Sequence, residues 1–92
     1  MARAAKIVMY TTSWCGYCAA AKKLLESKQA AYDNIDVGSD RTQLQNMIEL
    51  SGGRTVPQIF INDQAIGGYN DIAALDANGE LDGLLDQAPL TD

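Results

Sequence analysis

Histidine is absent from this 92-residue chain, and cysteine occurs only twice, as Cys15 and Cys18. The absence of histidine excludes hydrolases that activate a cysteine nucleophile with an imidazole base. A structural zinc site usually takes four ligands, most of them cysteine or histidine, so one chain supplies at most half of such a site from soft ligands. Neither cysteine–histidine hydrolysis nor a complete zinc site within one chain therefore accounts for the cysteine pair.

Long apolar runs and basic clusters are also missing. The apolar run within MARAAKIVMY is too short for a signal peptide, and no stretch approaches the ~20 residues of a membrane span. Seven basic residues stand against twelve acidic ones, a net charge of −5, and no basic stripe favours nucleic acid. Secreted domains of this size usually carry several disulfides. We therefore expect a soluble cytoplasmic protein that binds neither membranes nor nucleic acid.

The order of apolar and turn residues predicts one domain over residues 1–92. Apolar residues make up 47% of the chain, which is enough for a buried core. The pattern predicts seven elements, β-α-β-α-β-β-α, with the first two strands parallel and a hairpin adding antiparallel strands. Helices should then cover both faces of a sheet of about four strands.

The boundaries of these elements follow from local signals. The expected strands are 6–11, 31–37 and the two arms of a hairpin around Asn62-Asp63. The first expected helix runs from Gly16 to about Ser27, and the second from a capping box of Asp40 and Gln43 to Gly52-Gly53. The third begins near Asn70 and is interrupted at Gly79. A short amphipathic tail with Leu81, Leu84 and Leu85 follows.

The two cysteines lie where the first strand ends and the first helix begins. Free N–H groups and the helix dipole stabilise an anion there, so a thiol at such a position ionises more readily. We expect Cys15, at the mouth of the helix, to be an exposed nucleophile. Cys18, one turn further on, should be less accessible but able to close a disulfide with Cys15.

The pair could also be half of a zinc site, a structural disulfide, or two unrelated buried thiols. A disulfide between residues this close stabilises little, because it closes a very short loop. The β-α-β context and the aromatic neighbours Trp14 and Tyr17 favour redox chemistry over these three alternatives, which stay open at this point.

Three segments in order resemble a glutaredoxin of the dithiol class: CGYC at 15–18, TVPQIFI at 55–61 and GGYND at 67–71. The resemblance implies an α/β, thioredoxin-like fold with a four-stranded mixed sheet. It also implies a cis bond before Pro57, so that the Val56 backbone faces Cys15 and can pair with an extended cysteinyl peptide. The alternative is that Pro57 only begins a strand.

The resemblance further implies a groove for glutathione. Gly67 and Gly68 allow close backbone approach, and the N–H groups near Asn70 could hold a carboxylate. Alternatively Asn70 only caps the helix, and both descriptions can hold together. Arg54 is the candidate cation for the second carboxylate. The expected glutathione-binding residues are Tyr17, Arg54, Thr55, Val56, Pro57, Gly68, Tyr69, Asn70 and Asp71.

The chain departs from the common glutaredoxin pattern at three positions. Thr12 stands where many members have lysine, Asn70 where a second acidic residue is frequent, and Gly16 where the usual tetrad has proline. Some glutaredoxins without that proline bind an iron–sulfur cluster. The resemblance therefore raises the possibility of a 2Fe-2S cluster with Cys15 as the ligand from each chain of a dimer, although a monomer is the expected state.

The function implied by the resemblance is glutathione-dependent thiol–disulfide exchange. Cys15 and Cys18 are the expected catalytic residues, glutathione is the cosubstrate, and glutathionylated or disulfide-containing proteins are the partners. Two alternatives remain, the cluster-binding dimer and a thioredoxin-like redoxin served by thioredoxin reductase. The GGYND segment favours glutathione over the latter.

Overall fold

A computed structural model of the protein describes residues 3–89. Its elements are β1 (Ile7–Thr11), α1 (Gly16–Ser27), β2 (Asp33–Asp36), α2 (Arg41–Ser51), β3 (Gln58–Ile61), β4 (Gln64–Gly67), α3 (Tyr69–Ala77) and α4 (Leu81–Asp86). The strands form one sheet in the order β2-β1-β3-β4. β1 runs parallel to β2 and antiparallel to β3, and β3 runs antiparallel to β4. The predicted mixed sheet is confirmed.

Each face of the sheet buries its own core. On β1, Ile7 and Met9 pack against α1, α3 and α4, whereas Val8 and Tyr10 pack on the side covered by α2. This alternation is the two-residue period of a strand buried on both faces. Met9 is fully buried, so its replacement by alanine should cost about 2–5 kcal/mol. Two helical layers therefore hold β1, and with it the start of α1, in place.

The turns follow the chemistry of their residues. Asn62 and Asp63 join β3 to β4 with φ angles of 52° and 67°, values that asparagine and aspartate tolerate better than most residues. Asp40 caps α2 by accepting the Gln43 N–H at 3.1 Å. The α2 helix ends at Gly52, whose φ of 77° suits a residue without a side chain.

Some observed boundaries differ from the predicted ones, and β1 begins at Ile7 rather than at residue 6. β2 is shorter than 31–37, because its pairing with β1 begins at Asp33. The predicted interruption at Gly79 is confirmed, because α3 ends before it, α4 begins after it and its φ is 76°. Asn70 is not a helix cap, since α3 begins at Tyr69 with Gly68 as its N-cap. No helix within residues 3–89 combines the length and apolar character that crossing a membrane requires.

Candidate active site

Cys15 forms the N-cap of α1. Its backbone is extended, with φ −104° and ψ 116°, and its Sγ accepts a hydrogen bond from the Cys18 backbone N–H at 3.2 Å. An N-cap side chain normally satisfies one of the free N–H groups of the first turn, and here a sulfur atom does so. The sulfur of this half-buried residue thus lies at the end of the helix where negative charge is favoured.

Cys18 lies one turn inside the helix and is only 1% exposed. Burial raises the pKa of its thiol to about 11, and a hydrogen bond with Cys15 and the charge on Cys15 act in the same direction. A backbone hydrogen bond at Thr12 and the charge of Lys22 act in the opposite direction. At neutral pH the Cys18 thiol therefore keeps its proton.

The backbone of Val56 lies against Cys15. The Val56–Pro57 peptide bond is cis, and the Cys15 thiol donates to the Val56 carbonyl oxygen at 3.7 Å. Within residues 3–89 the Val56 N–H has no hydrogen-bond partner. Val56 thus presents an acceptor beside the sulfur and a backbone donor without a partner, the two groups that an added extended strand uses.

A groove of about 450 Å³ begins at this backbone. It is lined by Tyr17, Thr55, Val56, Pro57, Gln58, Gly67, Gly68, Tyr69, Asn70 and Asp71. Eight of the nine expected glutathione-binding residues are therefore brought together. Gln58 and Gly67 line the groove as well, although neither is among the binding residues that the sequence predicts.

The far end of the groove is the N-terminus of α3. Asp71 accepts the Gly68 N–H at 2.8 Å, so that donor is occupied. The N–H groups of Tyr69 and Asn70 have no partner within residues 3–89. These two donors, which lie at the N-terminal end of the helix dipole, can receive an anionic group.

Arg54 is the expected residue that does not line the groove. Its side chain is exposed, and it precedes the groove residue Thr55 in the loop between α2 and β3. Asp71 is the one charged residue in the lining within the described part of the chain. Any cation for a second carboxylate must therefore come from outside the lining, and Arg54 is the nearest candidate in sequence.

Two aromatic side chains flank the cysteines at the surface. Trp14 is 87% exposed and does not line the groove. Tyr17 is 62% exposed, lines the groove and packs on Tyr69 with ring centroids 6.3 Å apart. Of the two aromatic residues, Tyr17 thus belongs to the groove, whereas Trp14, which precedes Cys15 in the chain, does not.

Over residues 3–89, no cluster of three or more side chains of the metal-binding types occurs.

Comparisons with known proteins agree with this geometry. The glutaredoxin family model matches residues 7–66. Glutaredoxin 3 of Escherichia coli (strain K12) is 46% identical over 81 residues, covering 88% of this chain and 98% of the relative. The chain belongs to the glutaredoxin family. It is therefore a thiol–disulfide oxidoreductase, and it carries both cysteines, Cys15 and Cys18.

Solved glutaredoxin structures share the fold. The crystal structure of a buckwheat glutaredoxin–glutathione complex has a TM-score of 0.81 at 28% identity and covers 88% of this chain and 76% of its own. The holo form of glutaredoxin C1 from Populus tremula x tremuloides has a TM-score of 0.83 at 34% identity, covering 96% and 82%. The predicted thioredoxin-like architecture of a glutaredoxin is confirmed.

Proposed function

We propose that this glutaredoxin is a glutathione-dependent oxidoreductase that reduces glutathione mixed disulfides and protein disulfides. The observation that carries the proposal is that the Cys15 sulfur lies 3.7 Å from the carbonyl oxygen of Val56, a residue that lines the groove. The backbone N–H groups of Val56, Tyr69 and Asn70, all in the groove lining, have no partner within residues 3–89. Glutathione is a short extended peptide with a central thiol and two carboxylates, so its cysteinyl backbone fits Val56 and one carboxylate fits the start of α3. The buckwheat neighbour is a glutathione complex, which supports the assignment by likeness.

In the first step the Cys15 thiolate attacks the glutathione sulfur of a mixed disulfide. The bond between that sulfur and the target's sulfur breaks, and the target leaves with the electron pair and takes up a proton. The Val56 N–H and carbonyl hold the glutathione backbone so that its sulfur lies over Cys15. Only the glutathione half of the mixed disulfide has to be bound in the groove, because the target protein is the leaving group.

A second glutathione completes the single-cysteine route. Its thiolate attacks the glutathione sulfur on Cys15, oxidised glutathione forms, and the Cys15 thiolate leaves. The N–H of Cys18, which donates to the Cys15 Sγ at 3.2 Å, stabilises that leaving group. The Cys18 thiol takes no part in this route and stays protonated.

Cys18 acts when the target is a protein disulfide. Once Cys15 is bonded to a target sulfur, it no longer carries a charge, so two of the causes that raise the pKa of Cys18 disappear. The influences of Thr12 and Lys22, which lower that pKa, remain. Cys18 then loses its proton more easily, attacks the Cys15 sulfur and releases the target as a thiol. Two glutathione molecules reduce the resulting Cys15–Cys18 disulfide.

The proposal requires no bound organic cofactor. Electrons come from glutathione and ultimately from NADPH through glutathione reductase, and a reducing cytoplasm would supply both. Residues 1–92 form one such domain, which acts as a monomer.

A coupled assay tests which reductant the protein uses. Turnover of a small glutathione mixed disulfide should depend on glutathione and glutathione reductase, whereas turnover with thioredoxin reductase instead would indicate a thioredoxin-like redoxin.

A cluster-bridged dimer is a second candidate, favoured by Gly16. A Cβ placed on Gly16 meets no atom within 4 Å, so the space beside Cys15 is open. Each chain presents one accessible sulfur, because Cys18 is buried. The residues present therefore fit a shared site with Cys15 from each of two chains and the thiols of two glutathiones held in the grooves. A 2Fe-2S cluster bound there would supply iron–sulfur chemistry or storage rather than disulfide exchange.

A further inference from the structure

Gln58 is one of two polar residues buried in the described part of the chain, and it is 8% exposed. Its side-chain Nε2 donates to the Thr55 carbonyl oxygen at 2.9 Å and lies 3.4 Å from the Thr55 hydroxyl. A carbonyl cannot donate, so these contacts fix which end of the amide faces Thr55. The amide therefore holds the loop that forms one wall of the groove.

The same contact determines the direction of the Val56 N–H. The Thr55 carbonyl and the Val56 N–H belong to one planar peptide unit, and the Thr55–Val56 bond is trans. In a trans unit the two groups point in opposite directions. A donor that holds the Thr55 oxygen on one side thus aims the Val56 N–H toward the other. That N–H belongs to a residue that lines the groove, and it has no partner within residues 3–89.

We propose that Gln58 is a positioning residue that orients the Val56 N–H for the backbone of the bound glutathionyl group. The inference rests on the proposed function, because it assigns a second residue to the glutathione groove. Gln58 need not touch the reacting sulfur atoms. A loose Thr55–Val56 peptide would bind the substrate backbone less well, whereas the Cys18 N–H would still donate to the Cys15 sulfur.

Gly53 offers an independent way to disturb this contact. A Cβ on Gly53 would lie 2.8 Å from the Gln58 Nε2, too close for the amide to stay where it is. The φ of Gly53 is not positive, so an alanine there is compatible with the backbone. Gly53→Ala should therefore move the amide off Thr55 while leaving Gln58 present. Gln58→Met removes the donor and keeps the length of the side chain.

Hydrogen exchange at the Val56 amide tests the proposal directly. The parent is the Cys18→Ser protein, prepared reduced and with glutathione disulfide-bonded to Cys15, and exchange is followed by NMR. We expect glutathionylation to slow Val56 exchange in the parent. In Gln58→Met and Gly53→Ala this protection should fall about three- to tenfold, the effect of one neutral hydrogen bond. Exchange at Met9, in the central strand, reports whether the fold itself has changed.

Gln64 provides the matched control. It is an exposed glutamine on the edge strand β4 outside the groove, and Gln64→Met should leave Val56 protection unchanged. In turnover assays, Gln58→Met and Gly53→Ala should raise KM for a small glutathione mixed disulfide and change kcat little. If both variants keep full protection and KM, the role of Gln58 is wrong while the groove stands. If glutathionylation does not protect Val56 even in the parent, both the groove assignment and this inference are overturned.

Discussion

The backbone N–H of Cys18 donates to the sulfur of Cys15 at 3.2 Å, and the thiol of Cys18 is buried behind it. One residue thus supplies two opposite influences. Its N–H favours negative charge on Cys15, and its own side chain is kept neutral by burial. This asymmetry explains how two cysteines one helical turn apart can have different roles.

The asymmetry predicts a division of labour between the two thiols. Cys15→Ser should abolish all turnover, because the remaining thiol, Cys18, is buried. Cys18→Ser should keep removal of glutathione from small and protein mixed disulfides, but it should reduce protein disulfides poorly. Steady-state assays with one substrate of each kind measure both effects. Loss of deglutathionylation in the Cys18→Ser protein would contradict the assigned roles.

The raised pKa of the Cys18 thiol gives a second prediction. Ultraviolet absorbance of the reduced protein should show a thiolate that forms only near pH 11 and that is lost in Cys18→Ser. In Cys15→Ser the Cys18 thiolate should form at lower pH than in the native protein, because the influence of Cys15 is gone while burial remains. If Cys18→Ser loses no thiolate that forms near pH 11, burial does not raise the pKa of Cys18.

The raised pKa of Cys18 also predicts how stability depends on pH. Below about pH 8.5 the thiol is protonated in both folded and unfolded chains, and the full stabilisation is present. Between about 8.5 and 11 the unfolded chain ionises and the folded one does not, so the free energy of unfolding should fall by up to ~1.4 kcal/mol per pH unit.

Urea unfolding of the reduced protein at a series of pH values measures this slope. Tyrosines and lysines titrate in the same range, so the comparison is with Cys18→Ala, which should fall less steeply. Parallel profiles for the two proteins would mean that burial does not hold the proton on Cys18 in the folded state.

Arg54, which is exposed and precedes the groove residue Thr55, gives an electrostatic prediction. If its guanidinium faces a glutathione carboxylate, Arg54→Gln should raise KM for a small glutathione mixed disulfide by up to about fivefold, the scale of an exposed ion pair. The effect should shrink in high salt. Arg41→Gln removes an equally exposed arginine at the start of α2 and serves as the control. Equal KM values in the two variants would remove Arg54 from the site.

Gly16 separates the two candidate functions. It is the first residue of α1, a position where proline is readily accommodated, and the space around it is open. Gly16→Pro should therefore keep oxidoreductase turnover. Anaerobic reconstitution with iron, sulfide and glutathione should give a brown dimer from the native chain and far less from Gly16→Pro, as measured by absorbance and size-exclusion chromatography. A native chain that stays monomeric and colourless under these conditions would exclude the cluster.

The sheet and most helix positions could be predicted because their signals are local. Strand β1 is a short apolar run, and Gly52 and the Asn62-Asp63 pair occur where the chain needs positive φ. The start of α3 differs from the prediction because asparagine is a good N-cap in general. Here Gly68 is the N-cap, and the Asp71 side chain accepts the Gly68 N–H. This arrangement depends on the backbone path of Gly67 and Gly68 at the end of β4, which the sequence pattern does not give.

The cysteine pair and the groove could be predicted from motifs, whereas the role of Gln58 could not. Its role depends on the α2–β3 loop folding back onto the first residue of β3, a contact that periodicity does not encode. The buried strand position of a glutamine, in QIFI, was the available signal, because a buried amide must find a partner. Nor could the sequence predict that Arg54 lies outside the groove lining, since the course of a loop is not set by a local pattern.

Trapping the first covalent intermediate tests the central claim most directly. The Cys18→Ser protein is mixed with the disulfide of cysteine and glutathione, quenched rapidly in acid and examined by intact-mass and peptide mass spectrometry. The account predicts a glutathionyl adduct on Cys15 and release of free cysteine, because the groove selects the glutathione sulfur. A cysteinyl adduct on Cys15, or a protein that stays unmodified, would contradict it.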